Sequence, residues 1–124
     1  MRAPASDNLG MQQNGLTSVP SAPFAPGALV IATLCNPREK FWGMILALAP
    51  EGLSLSGAEL ASFEDLTVMV RDGEPFTPAV VFFPMHRVQR IEEDGRTGEL
   101  PSLAEQFRAN TGVDVHKFFE EPRK

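Results

Sequence analysis

The sequence predicts a mainly β domain, a small five-stranded barrel with one short inserted helix and a second helix near its C-terminal end. Three observations predict it. Short β-branched and apolar runs recur between clusters of Pro, Gly, Asn and Asp. Gly43 stands in the middle of the longest run, where a strand must bend or admit a close backbone neighbour. Pro84 interrupts the strongest strand signal, because proline cannot donate to a ladder.

The elements follow in order. Residues 1–27 mix Pro4, Pro20, Pro23 and Pro26 with small and polar residues and lack sustained periodicity, so they read as a flexible arm. The folded domain spans 28–112. Leu29 to Cys35 is the first strand, Asn36-Pro37-Arg38-Glu39 a turn, and Lys40 to Leu48 a longer second strand. Ala49-Pro50-Glu51-Gly52 turns the chain into Leu53-Ser54-Leu55-Ser56, which alternates as a third strand. An insertion follows from Gly57 to Thr77. Within it Ser62 and Asp65 have capping-box spacing, and Phe63, Leu66 and Val70 form a helical stripe, with Val68 and Met69 leaving a strand reading open. Strands over 79–83 and 85–92 meet at a corner at Pro84. Ser102 and Glu105 mark a second capping box, Leu103 and Phe107 share one helix face, and Gly112 is a stop. Residues 113–124 form a tail containing Phe118 and Phe119, which either fold back onto the barrel or dock on another chain.

Composition narrows the function classes. A hydrophobic fraction of 43% over 124 residues supports a core. The net charge of −5 lowers the expectation of binding to phosphate backbones or anionic membranes. Cys35 is the lone cysteine, so no disulfide framework and no closed Cys/His zinc site with His86 and His116 is expected. No apolar run approaches a membrane span, and the first residues do not resemble a secretory signal, so a cytoplasmic protein is expected.

Catalytic readings fail on missing parts. Cys35 and His86 are the only thiol–base candidates, and Cys35 ends an apolar strand, where a thiol behaves as a small hydrophobe. Glu92-Glu93-Asp94 reads as a solvated edge entering an Asp-Gly turn. No phosphate-cradling loop, nucleophile elbow or metal-binding motif occurs. No enzyme, cofactor or metal is expected. Arg38, Lys40, Arg87 and Arg90, with His86 at the rim and Phe41 or Trp42 between them, are the candidate contacts for a phosphate or a partner. The competing reading turns one of the two aromatics into the core and lays the other over a neighbour.

The stretch Leu34 to Leu55, with its turn after Cys35-Asn36, its apolar-x-Gly43-x-apolar pattern and its Leu53-Ser54-Leu55, resembles the Sm-like family of SH3-like small barrels, which includes bacterial RNA chaperones. Phe83-Pro84-Met85-His86-Arg87-Val88 is similar to that family's last two strands, with Met85 where the family has a lysine before His86. The resemblance covers about half of the chain. It implies ring assembly through strand edges and, as a second outcome, RNA binding. The sequence thus predicts a non-catalytic interaction module whose partner is protein, including its own copies, with RNA as the alternative.

Overall fold

Alternation decides which side chains each strand sends to which face. In β1 (Leu29–Leu34), Val30, Ala32 and Leu34 point one way, and Leu29 and Ile31 the other. In β2 (Glu39–Ala49), Phe41 and Ile45 join the first set, and Trp42 and Met44 the second. The computed structural model describes residues 22–120. It completes one antiparallel sheet with β3 (Gly52–Glu59), β4 (Ala79–Pro84) and β5 (Val88–Glu93), in the order β4-β3-β2-β1-β5.

That order dictates curvature. β4 and β5 are the two edges of the sheet, yet only a 3-10 turn over Met85–Arg87 joins them. In a flat sheet they would lie four strand spacings apart, about 19 Å. The four-residue step from Pro84 to Val88 reaches about 14 Å at most. The sheet therefore curls strongly, although no ladder closes it. The corner is fastened at both ends: Met85 N–H donates to the Glu51 carbonyl at 2.8 Å, and Cys35 N–H donates to the Arg87 carbonyl at 2.9 Å.

Two glycines make the curl sterically possible. Gly43 and Gly57 face each other across β2 and β3. A Cβ on Gly57 would stand 2.1 Å from the Trp42 carbonyl oxygen, and one on Gly43 2.6 Å from that of Ser56. The backbones approach more closely here than any side chain permits. The close approach expected at Gly43 is thus present, with Gly57 as its unforeseen partner. β3 runs on to Glu59, beyond the predicted end at Ser56, because the small pair Gly57-Ala58 carries no alternation signal. The fifth strand starts at Val88 rather than 85, since the corner occupies three residues and not Pro84 alone.

Each face of the sheet builds a core. The concave face gathers Val30, Ala32, Leu34, Phe41, Ile45, Leu53, Leu55 and Phe83, with the Phe41 and Phe83 rings edge to face at 5.4 Å. The middle of the other face is covered by helices α1 (Phe63–Arg71), α2 (Leu103–Thr111) and α3 (Val115–Glu120). Trp42 is fully buried beneath them, its ring 5.1 Å from those of Phe63 and Phe119 and 6.0 Å from that of Phe107. Burying each such side chain contributes about 1.5–3 kcal/mol.

The two predicted caps fare differently. Ser102 is extended (φ −64°, ψ 163°) and forms the full capping box with Glu105. The Ser102 N–H bound to the Glu105 carboxylate holds that carboxyl below its usual range, with Arg96 adding to the effect. Ser62 caps nothing with its side chain. It closes a 3-10 turn over Leu60–Ser62 at φ −93°, ψ 4°, outside the extended region a capping oxygen requires. The stripe it introduces is nonetheless helical, burying Phe63 and Leu66.

The tail forms α3 and folds back. Phe118 and Phe119 are buried within the chain, and the Ser56 hydroxyl donates to the Phe119 carbonyl at 2.9 Å. Of the two outcomes open to them, folding back is the one observed: the apolar surface they cover, around Trp42 and Phe107, belongs to this chain. The folded unit accordingly extends beyond 112 to Glu120. Of the proposed flexible arm, residues 1–21 lie outside the described residues; a 3-10 turn over Ala22–Phe24 precedes β1, and Phe24 packs against the concave core.

Candidate functional site

The corner at Pro84 brings one predicted cation, Arg87, against the turn that carries Arg38 and leads into Lys40 on β2. Arg87 lies beside the β1–β2 turn, donating from Nε to the Cys35 carbonyl at 2.9 Å and from Nη2 to the Pro37 carbonyl at 2.8 Å. The same Nη2 meets the Glu39 carboxylate at 2.9 Å, and the guanidinium sits 5.9 Å from the centre of the Phe83 ring. An arginine with three acceptors already engaged is a fastener for the corner. Its Nε and Nη2 donors are spent within the chain, which leaves less of the guanidinium for the phosphate or partner contact expected of it.

Lys40 and Arg90 are brought together differently. Both stand opposite Thr33, one across the β1–β2 ladder and one across β1–β5. Thr33 is 5% exposed, and among the described residues its hydroxyl has no hydrogen-bond partner. Arg90 is ion-paired with Glu92 on its own strand. Arg38 and Lys40 are exposed and line a shallow groove with Glu39, Glu59, Leu60 and Ala61, so the cations there are matched by two acids. His86 is exposed in the 3-10 turn, not on the strand predicted for it. Cys35 is half-buried beside it, its thiol directed at the His86 and Arg87 carbonyls at 3.5 and 3.6 Å. Phe41 and Trp42 sit in opposite cores rather than between the cations.

Asp94 was misread as solvated edge. Its carboxylate accepts the Trp42 indole N–H at 3.1 Å and the Leu103 and Ala104 N–H groups at 2.8 and 2.9 Å. It ties the first turn of α2 to the buried tryptophan, a favourable place for an anion.

Strand edges were expected to carry assembly, but the outward side chains of β4 were not among the predicted contacts. Val80 and Phe82 point away from the concave core and are 46% and 54% exposed. Phe82 stands opposite Ser54 and its ring lies over Gly52, where an added Cβ would come within 2.6 Å of the ring. Leu48 and Met85 are also exposed. β4 pairs with β3 alone, so its outer edge is open among the described residues. The signal available in the sequence was Pro78-Ala79-Val80-Val81-Phe82-Phe83-Pro84, seven residues without a charge.

Among the described residues, no group of three or more His, Cys, Asp or Glu side chains is placed to hold a metal ion, and no helix is long and apolar enough to cross a membrane. No protein-family model, curated protein or solved structure matches the chain.

Proposed function

We propose that this domain is a non-catalytic interaction and assembly module that works through the open edge of β4, on a small barrel of the SH3-like or Sm-like kind. The barrel reading is supported by the strand order, the strong curl and the 3-10 corner between β4 and β5. The observation that carries the function is the uncharged edge strand with Val80 and Phe82 outward, beside a sheet whose other surfaces are largely covered. An extended segment of a protein partner adds to such an edge by main-chain hydrogen bonds, with alternate side chains giving selectivity.

RNA binding is the second reading, and one observation favours it: the unpartnered Thr33 hydroxyl flanked by Lys40 and Arg90. Fluorescence anisotropy with short labelled RNAs, at low and moderate salt, separates the two. The interaction reading expects no binding at low salt. Salt-sensitive binding weakened by Lys40→Ala and Arg90→Ala would replace it with the RNA reading. Arg87→Ala is a poor probe, since it removes the corner's hydrogen bonds.

A further inference from the structure

Resting on that edge-strand reading, we propose that the occupant of the β4 edge is a second copy of this chain, paired antiparallel about a two-fold axis at Val81. Ala79–Pro84 carries no charge, and its one proline falls at the last position. Residues 79–83 therefore lack the lysine, bulge or internal proline that usually blunts an edge.

Register selects the geometry. Residues directly opposite in an antiparallel ladder point to the same face. Centred on Val81, the pairing sets Val80 against the copy's Phe82, Phe82 against the copy's Val80, and Val81 against itself. Each exposed side chain gains an apolar partner, and the two concave cores stay on one side of a continuous sheet. A slip of one residue would set an outward side chain opposite an inward one.

The other edge fits less well. β5 places Arg90 and Glu92 opposite Thr33 and Ile31, on the face that Val80 and Phe82 share. Pairing β4 with a copy's β5 would press Val80 and Phe82 onto that ion pair and strip water from it. A two-fold pairing leaves it hydrated.

A single six-residue strand pair belongs with small, transient interfaces, below about 1,200 Å². Each copy carries a net charge of −5, so the copies repel, and added salt strengthens the dimer.

The test places a cysteine at the axis in the full chain. Cys35→Ser with Val81→Cys puts the two thiols opposite each other at about 4.5–5.5 Å between Cα atoms, within disulfide reach. A mild thiol oxidant should then give a covalent dimer, and Cys35→Ser with Gln89→Cys should not. In the wild type, the β4 amides should gain protection from hydrogen exchange as concentration rises. A monomer at all concentrations overturns the proposal. So does a monomer with protected β4 amides, which would assign the edge to this chain's own residues 1–21. A larger assembly in which mixing the Val81→Cys and Gln89→Cys variants gives an 81–89 cross-link overturns the two-fold arrangement while keeping the edge reading. An assembly unaffected by Phe82→Lys overturns both.

Discussion

Asp94 spends its carboxylate on three N–H donors drawn from β2 and the start of α2, and no sequence rule announces this. Its neighbours Glu92 and Glu93 are acids of the ordinary kind, so composition assigns the whole run to solvent. The distinguishing fact, that Trp42 lies 52 positions earlier and within reach, exists only in three dimensions. Asp94→Ala should leave the indole N–H and the α2 N–H groups without their acceptor and cost about 2–4 kcal/mol, as hydrogen bonds to a charged group imply. Chemical denaturation followed by the emission of Trp42 reads this directly. A loss under about 0.5 kcal/mol would mean that water replaces the carboxylate without penalty. Arg87 teaches a related lesson. A cation beside a turn looks available to a phosphate, yet the turn's own carbonyls and Glu39 engage it first.

Helix caps show how far local sequence carries. Ser62 and Ser102 both precede an acid by three residues, and only Ser102 forms the box. The difference is backbone conformation: the chain enters α2 extended but enters α1 from a 3-10 turn. Ser102→Ala should lower stability by about 1 kcal/mol, while Ser62→Ala should stay within about 0.5 kcal/mol. Paired thermal melts of the two variants test this, and equal losses would contradict it. Strands were more legible than helix ends, because apolar alternation is local. All five were expected near their observed places. Misplaced limits fell where small residues or a corner hid the signal, at Gly57-Ala58 and Met85–Arg87.

For the whole molecule, the decisive feature is a sheet with two cores, curled by the Gly43–Gly57 contact and tied at the Pro84 corner. The sequence carried the β class and one of the two glycines. It could not reveal that the tail supplies Phe118 and Phe119 to the outer core, since an apolar pair near a terminus suits a docking site equally well. Gly57→Ala should be among the most damaging single methyl additions in the chain, costing about 1–3 kcal/mol through forced strand separation. A denaturation midpoint unchanged from wild type would show that the two strands part freely.

The β4 edge lies outside both cores, and the claim that it makes this domain an assembly module is open to one direct measurement. Light scattering coupled to size exclusion should be run on the wild type and Phe82→Lys across a concentration series, at low and moderate salt. The wild-type mass should climb from one chain toward two, more readily at moderate salt, while Phe82→Lys remains a single chain throughout. A wild type that stays monomeric, or an association that weakens with salt and persists in Phe82→Lys, would contradict the role given to β4.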